Sequence, residues 1–340
     1  MWSNFYDDYV TFALEENAIN TEATVGLLFD LLGWNFAVEG DKASGFDLKF
    51  SALGIVVNLE HFLDGYVEFC NTEKRAKELS ETIQGFVKSG TMSLLESQRL
   101  RGRMQFADGQ LFGRIGQLCL RAVSNHGFSG KGPKIPTDCI NALLRFQNFL
   151  NDNNPRRVMV SSAETFYIFT DACYEPTSGS WPCGIGGVIY NSHGVPLECF
   201  SLCLSREHII SLGGDDKETI IFEAELLALV VAMSQWAPLF QGCPVVFFVD
   251  NNSSRDVAIS GSARNQAANL MLDALLKVEA SSSAFPWYAR VPSPSNPSDD
   301  LSRGDLSFFE SLGIPCVCIR EWVDEITAVL HMNRSRGGVS

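Results

Sequence analysis

Hydrophobic and polar positions follow two different patterns along this chain, and the pattern changes near residue 160. Between residues 72 and 123 the apolar positions recur with helical spacing, and glycines at 90, 109 and 113 divide this stretch into about three predicted helices. Beyond residue 160, short apolar runs alternate with turn residues, at 166–170, 184–190 and 195–204. This pattern is typical of an antiparallel meander.

The second part continues with alternating helices and strands. We expect a long helix at 218–236, an apolar strand at 245–250, a helix at 267–278 and a strand at 285–291, before a short final helix. The order is therefore β-β-β-α-β-α-β. Strands first and alternation afterwards predict an α/β domain with a mixed five-stranded sheet flanked by helices.

The first 70 residues alternate short apolar runs with turn residues, which favours an incomplete α+β unit. Helical spacing marks 21–34, and 50–59 is predicted to be one strand interrupted at Gly54. A Gly/Pro-rich connector at 127–136 precedes another predicted helix at 138–150. The polar run at 151–157 marks a second boundary.

Composition supports a folded protein with two cores, since 46% of the 340 residues are hydrophobic and 19% are charged. The formal net charge of −14 is unfavourable for binding a polyanion, because phosphate contacts are normally made by Lys and Arg. Local charge must then matter more than the total. Acidic residues at a metal site can bind nucleic acid through the cations that they hold.

The cysteines and the N-terminus indicate an intracellular protein. The ten cysteines contain no CxxC pair, which argues against a zinc ribbon and favours reduced thiols. Residues 1–10 lack the basic start and apolar run of a secretory signal, and no stretch approaches about 18 uninterrupted apolar residues. We expect a soluble protein of the cytoplasm or nucleus that is neither secreted nor bound to a membrane.

Two aspartates follow predicted strands directly. Asp171 closes the first strand of the meander, and Asp250 closes the apolar strand VVFFVD. A carboxylate at the end of a buried strand is held rigidly while its oxygens still reach solvent or a metal ion. Either aspartate alone is better explained as a turn residue or a helix cap.

Two glutamates lie within the apolar helix IFEAELLALVVAM. Charged residues are rarely buried unless they are paired or bound to metal, so these side chains need compensation. Glu223 and Glu225 lie about 200° apart around a helix, so only one can face a shared site. Glu225 shares the small-residue face of Ala228 and Ala232, and Glu223 is expected at a solvated or rim position.

A third acidic pair, Asp299 and Asp300, begins a short helix after a Pro-rich loop. Acidic residues in a first helical turn are often only partners of the helix dipole. Taken together, these acidic residues occur along the chain as an Asp on a strand, a Glu on a helix, an Asp on a strand and an Asp on a helix. The elements that carry them are an antiparallel meander followed by alternating helices and strands.

This order resembles ribonuclease H over residues 166 to about 304. The matching runs are FTDA around Asp171, ELLA from Glu225, VDNNS around Asp250 and D-x-L-S-R from Asp299. The resemblance selects Glu225 over Glu223 and Asp299 over Asp300. It implies that Asp171, Glu225, Asp250 and Asp299 are catalytic and hold two Mg²⁺ ions about 3.5–4 Å apart, with Mn²⁺ as an alternative.

The implied reaction is hydrolysis of the RNA strand of RNA/DNA hybrids, with selection by shape and the 2′-hydroxyl. Many family members carry a mobile His in the loop before the final Asp. Here that loop reads RVPSPSNPSDD and contains no His. The departure puts product release in doubt rather than metal binding.

The N-terminal part resembles the end of a reverse transcriptase palm followed by its thumb. The run Phe5-Tyr6-Asp7-Asp8 matches the YDD hairpin, which implies Asp7 as a metal ligand and Asp8 as its partner. Helices containing LRGRMQFA match the thumb, which grips a primer-template duplex. Its predicted basic set, suited to phosphate contact, is Arg99, Arg101, Arg103, Arg114 and Arg121. An ordinary solvated face explains these arginines equally well.

The resemblance implies a retrotransposon pol region, of the DIRS kind, with this organisation: palm fragment 1–70, helical thumb 71–128, connector 129–164, ribonuclease H-like domain 165–304 and tail 305–340. A further palm Asp and the fingers would precede residue 1, so we expect no polymerisation by this chain alone. Its partner would then be the missing polymerase part or another polymerase subunit. The rivals are an inactive nucleic-acid-binding remnant and another nuclease or strand-transfer enzyme of the same fold.

Overall fold

A computed structural model describes residues 2–5, 8–37, 45–111, 113–160, 164–177 and 181–337 of this chain. The first part contains β1 Trp2–Phe5, β2 Asp8–Thr11, α1 Ala18–Leu31, β3 Lys49–Ala52, β4 Ile55–Asn58, β5 Tyr66–Asn71, α2 Glu73–Ser89, α3 Leu94–Gly109, α4 Gln117–Phe128, α5 Thr137–Asp152 and β6 Arg156–Met159. The second contains β7 Phe166–Tyr174, β8 Cys183–Tyr190, β9 Pro196–Cys203, α6 Arg206–Leu212, α7 Ile221–Trp236, β10 Pro244–Val249, α8 Asn252–Ser260, α9 Gln266–Ser281, β11 Phe285–Arg290, α10 Asp299–Ser302, α11 Ser307–Ser311 and α12 Arg320–Gly337.

The first part is built on an antiparallel sheet in the order β3-β4-β5-β6. The prediction of a single strand over 50–59 is wrong, because Leu53 and Gly54 form a tight turn between β3 and β4. Both have positive φ, at 54° and 73°, which is the geometry of a two-residue hairpin. The glycine thus reverses the chain instead of interrupting one strand.

The predicted division of 72–123 into three helices is confirmed by α2, α3 and α4. Thr72 and Ser93 cap α2 and α3 through their side chains, and Gly90 ends α2 in the left-handed conformation. Helix α5 completes a core of buried side chains that includes Leu143 and Phe146. By contrast, α1 has no buried residue and exposes several leucines.

The second part confirms the predicted mixed five-stranded sheet flanked by helices. Its order is β11-β10-β7-β8-β9. Strands β7, β8 and β9 form the antiparallel meander, while β10 pairs in parallel with both β7 and β11. Parallel neighbours need crossover connections, and α7, α8 and α9 supply them.

One face of this sheet is covered by α7, whose residues are almost all buried, together with α9 and α12. The segment Ile221–Leu239 is long and apolar enough to cross a membrane by length and composition, but 72% of its most apolar stretch is buried. The burial identifies α7 as a core helix. The other face carries a smaller cluster of Val188, Cys199, Leu301 and Phe309.

Three features of the second part differ from the sequence prediction. Helices α6 and α8 were not predicted, and α7 begins at Ile221, three residues later than expected. The last helix, α12, belongs to the main core, because Val323, Ile326 and Leu330 join the same cluster as the sheet. The segment after residue 304 is therefore structurally continuous with the sheet domain.

Arginines join the two parts of the chain. Arg114, which lies before α4, donates to the carbonyl of Ala258 and pairs with Glu279, its Nε being 3.6 Å from Oε2. Arg156 of β6 donates to the carbonyls of Glu279 and Ala284. The guanidinium of Arg114 is thus engaged within the protein, and in the same predicted basic set Arg103 Nη1 donates to Thr82 Oγ1 at 3.1 Å.

Asp108 lies beside this interface and is almost completely buried. Its Oδ2 accepts a hydrogen bond of 3.1 Å from the backbone N–H of Gly116. Burial raises the pKa of Asp108 to about 7, the nearby Glu279 adds to the increase, and the Gly116 hydrogen bond opposes it. The native protein therefore holds this carboxyl protonated over a pH range in which an unfolded chain would ionise it.

Replacing Asp108 by Asn tests this electrostatic cost. The raised pKa means that the native state binds more protons than the unfolded state, so wild-type stability falls as the pH rises from about 4 to about 7. We expect the free energy of unfolding of Asp108→Asn, relative to that of the wild type, to increase across this window. At pH 8 the variant should be more stable by at least about 1 kcal/mol. Urea unfolding at several pH values measures the difference.

The exposed Asp152, at the end of α5, provides the matched control. Asp152→Asn removes one exposed carboxylate and shows how much the loss of a surface charge changes stability. A difference in stability between Asp108→Asn and the wild type that does not change with pH would contradict the electrostatic interpretation.

Candidate active site

Asp171 lies inside a strand instead of at its end, so the predicted placement is wrong. Strand β7 continues to Tyr174, and Asp171 is paired with Gly186 of β8. The side chain is 3% exposed. Ser302 Oγ donates to its Oδ2 at 2.6 Å, and Asn296 Nδ2 lies 3.4 Å from its Oδ1. The carboxylate is therefore held by two groups from the loop and helix that follow β11.

Asp250 directly follows β10, as predicted. Because Phe248 pairs with Phe169 in the parallel ladder, Asp250 and Asp171 stand two residues further along neighbouring strands and face the same side. Ser293 Oγ donates to Asp250 Oδ2 at 2.8 Å. The parallel pairing thus brings these two carboxylates together.

Glu225 projects from α7 and is 3% exposed. Its Oε2 has no hydrogen-bond partner within the described part of the chain. Burial raises its pKa well above the usual value, and the neighbouring carboxylates of Asp171 and Asp250 raise it further. An unpartnered buried carboxylate oxygen is costly unless a cation or proton compensates it.

The prediction for Glu223 is wrong, because this residue is buried instead of solvated. Its Oε1 accepts hydrogen bonds from Lys217 and from Asn265 Nδ2, the latter at 3.1 Å. Asn265 also caps α9, so Glu223 links the start of α7 to the start of α9. No local sequence pattern predicts this role of Glu223, because its two partners, Lys217 and Asn265, lie 48 residues apart in the sequence.

Asp171, Glu225 and Asp250 each offer a carboxylate oxygen within 4.8 Å of the others. Three like charges so close together repel, and burial together with this repulsion raises the pKa of Asp171 to about 7. Oxygen donors in this number and spacing, one of them unpartnered, fit a hard divalent cation. The cluster is thus a candidate metal centre.

Asp299 is the first residue of α10 but is not one of the three converging carboxylates. It lies close enough to Asp171 to contribute to that group's raised pKa. Its oxygens instead accept from Arg303, at 3.3 and 3.4 Å. Three of the four predicted ligands are therefore brought together, and the fourth stands beside them with a partner of its own.

Helix α10 sits on a glycine surface of β8. A Cβ at Gly186 would lie 2.5 Å from the backbone N of Ser302 and 2.6 Å from the backbone C of Leu301. Such distances are far below van der Waals contact, so only glycine allows the helix backbone to approach the strand. This close seat places the Ser302 hydroxyl against Asp171.

Four of the five predicted arginines are exposed: Arg99, Arg101, Arg103 and Arg121. Arg99 and Arg103 lie one turn apart on the same side of α3, and Arg101 lies on the opposite side. Arg103 also lines a cleft of about 430 Å³ between α2, α3 and the Gly54 turn. Lys74 and Arg75 also line this cleft, and no sequence motif marks either residue.

The predicted polymerase motif falls largely outside the described structure. Strands β1 and β2 pair antiparallel with Phe5 opposite Asp8, in keeping with a hairpin. Asp7 lies outside the described residues, and nothing is described of the Asp8 side chain. Asp7 and Asp8 remain predictions.

No protein-family model matches this chain, and no curated protein matches it. Among solved structures it is similar to ribonuclease H1 from the archaeon Halobacterium salinarum, with 16% identity and a TM-score of 0.32, covering 42% of this chain and 98% of that one. A ribonuclease H1 from compost, solved with an RNA/DNA hybrid, has 17% identity and a TM-score of 0.33, covering 43% and 99%.

The chain is also similar to a foamy viral protease-reverse transcriptase, solved with double-stranded DNA, with 15% identity and a TM-score of 0.34. The similarity covers 85% of this chain and 54% of the viral chain. At these identities and TM-scores, likeness does not indicate a reaction or a substrate.

Adding one methyl group at Gly186 tests the seat of α10. We expect Gly186→Ala to reduce the free energy of unfolding by about 1–3 kcal/mol, because the added Cβ meets backbone atoms that cannot rotate away. Urea unfolding provides the measurement. The control is Gly85→Ala in the exposed part of α2, where a Cβ meets no atom within 4 Å and helix propensity improves. Equal stability of Gly186→Ala and the wild type would show that α10 is not seated this closely.

Proposed function

We propose that this chain is a divalent-metal-dependent nuclease of the ribonuclease H type, which hydrolyses the RNA strand of RNA/DNA hybrids. The observation that carries the proposal is the convergence of Asp171, Glu225 and Asp250 within 4.8 Å, from a meander strand, the core helix and a parallel strand. A structural ion pair would explain a buried carboxylate with a basic partner. These three carboxylates are instead compensated mainly by hydroxyl and amide groups, which suits a cation.

The residues of the site have separable roles. Asp171, Glu225 and Asp250 would hold the cations, with Asp299 as the candidate fourth ligand. Ser302 and Ser293 orient Asp171 and Asp250 by donating to one oxygen of each, and Asn296 Nδ2 lies 3.4 Å from the other oxygen of Asp171. Bound Mg²⁺, or Mn²⁺ as an alternative, would supply an activated water and neutralise charge on the leaving oxygen.

The acidic total charge does not exclude a nucleic-acid substrate, because basic groups are concentrated in the helical part. The cleft beside α3 contains Lys74, Arg75 and Arg103 against a single acidic residue, Glu78. Arg75 also stacks over the Phe106 ring, 4.4 Å from its centroid, which fixes the guanidinium within the cleft. We propose that this surface contacts the phosphates of a bound duplex.

A retroelement origin is the finer part of the proposal. The small antiparallel sheet followed by α2, α3 and α4 supports the assignment of a palm end and a thumb. The exposed leucines of α1 support a partner surface, for which a polymerase part is the candidate. The DIRS subtype rests on the order of these parts alone.

Cleavage of defined substrates by the full chain tests the main proposal. We expect Mg²⁺-dependent cutting of the RNA strand in an RNA/DNA hybrid, and none of double-stranded DNA. Asp250→Asn should reduce the rate at least about 100-fold, because losing a metal ligand removes several kcal/mol of transition-state stabilisation. Labelled strands resolved on denaturing gels report rate and strand.

Asp256→Asn is the matched control, since Asp256 is a nearby exposed carboxylate paired with Arg255. It should cleave like the wild type. Binding of the hybrid without cleavage would favour the inactive remnant, and cutting of DNA would favour another nuclease of this fold. Identical rates for wild type and Asp250→Asn would exclude the assigned site.

The basic surface is tested separately by binding. Because each phosphate contact releases counterions, Lys74→Gln with Arg103→Gln should weaken hybrid binding and reduce the slope of log K against log salt by about one per lost contact. Fluorescence anisotropy over a range of KCl concentrations measures both. Arg145→Gln is the control, since Arg145 pairs with Asp273 at 3.0 Å. An unchanged slope in the double variant would argue against this surface.

A further inference from the structure

One guanidinium spans two carboxylates at the edge of the candidate metal centre. Arg303 follows α10 directly, and its Nε and Nη2 donate to Asp299 at 3.3 and 3.4 Å. Its Nη1 donates to Glu175 Oε1 at 2.8 Å. Glu175 follows β7, the strand that carries Asp171. Arg303 therefore binds the carboxylate of Asp299, which would otherwise be the fourth acidic group of the cluster.

This pairing contributes little to stability. The side chains of Arg303, Asp299 and Glu175 are 50%, 39% and 60% exposed. Exposed ion pairs are screened by solvent and typically contribute between zero and about 1 kcal/mol. Helix α10 is already held by its close seat on Gly186 and by the Ser302 hydrogen bond to Asp171. The consequence of the pairing must therefore be sought in the charge that it brings to the site.

The charge of Arg303 lies next to the cluster. Arg303 is hydrogen-bonded to Asp299 at the start of α10, and Ser302 of the same helix donates to Asp171 Oδ2 at 2.6 Å. A fixed positive charge next to a cation site repels an incoming cation. It also competes for the oxygens of Asp299, because a carboxylate paired with a guanidinium must give up that pairing to bind a metal ion.

We propose that Arg303 is a positioning residue that limits how tightly the site holds a second divalent cation, by keeping Asp299 paired. The inference rests on the proposed metal-dependent function. Asp171, Glu225 and Asp250 would hold the first ion without Arg303 moving. A second ion gains Asp299 only when the guanidinium leaves it, and Glu175 retains the displaced guanidinium nearby. Arg303 thus makes the two ions unequal in affinity.

Calorimetric titration of the full chain with MnCl₂, without substrate, tests the proposal. We expect two binding steps in the wild type. Arg303→Gln, which removes the charge, should bind the second ion roughly 3- to 10-fold more tightly, because the repulsion is gone and Asp299 is free. Arg303→Lys keeps the charge and should stay near the wild type. Mn²⁺ electron paramagnetic resonance should detect coupled ion pairs at lower Mn²⁺ in Arg303→Gln.

Glu175→Gln should not increase the affinity for the second ion. It leaves the guanidinium of Arg303 on Asp299 and removes a negative charge near the site, so the second binding step should be no tighter than in the wild type. Equal or weaker second binding by Arg303→Gln, in a protein with wild-type thermal unfolding, would overturn the role of Arg303 alone. Absence of any Mn²⁺ binding by the wild type would overturn the metal centre itself, and the role of Arg303 with it.

Discussion

Repulsion among buried carboxylates is the constraint around which the second part of this protein is organised. Asp171 and Glu225 are almost fully removed from water and stand within 4.8 Å of each other and of Asp250. Burial and mutual repulsion raise the pKa of both buried groups, so the folded chain alone cannot hold all three charges at little cost. A fold that maintains such a cluster gains from it only when cations are present, which is why the cluster indicates function more strongly than stability.

The surrounding elements keep these groups in place although they repel. The apolar helix α7 is buried along its length and carries Glu225 into the sheet, while the parallel pairing of β7 with β10 aligns the two aspartates. On the other face, α10 approaches β8 over Gly186 and brings a hydroxyl to Asp171. Each ligand is thus held by an element whose own position is determined by apolar packing, which is the arrangement that a preorganised site requires.

Charge is distributed unevenly between the two parts of the molecule. The acidic cluster lies at the sheet, and the exposed arginines of α3 with the cleft beside them lie in the helical part. Arg114 and Arg156 lie in the contact between the two parts, where they bind Glu279 and backbone carbonyls. The net charge of −14 therefore combines a basic surface in the helical part with an acidic centre in the sheet domain.

The sequence by itself determined the order of the five strands of the second part and of α7 and α9 between them, since the periodicity of apolar residues is a local signal. The apolar runs also marked Asp171, Glu223, Glu225 and Asp250 as candidates, and the resemblance to ribonuclease H selected Asp171, Glu225 and Asp250 among them. Only the tertiary structure decided that Glu223 is buried, that Arg114 faces Ala258 across 144 positions, that α12 joins the core and that Asp299 stays outside the three converging carboxylates. These outcomes depend on which distant groups meet after folding, and periodicity carries no information about the partners that long-range packing supplies.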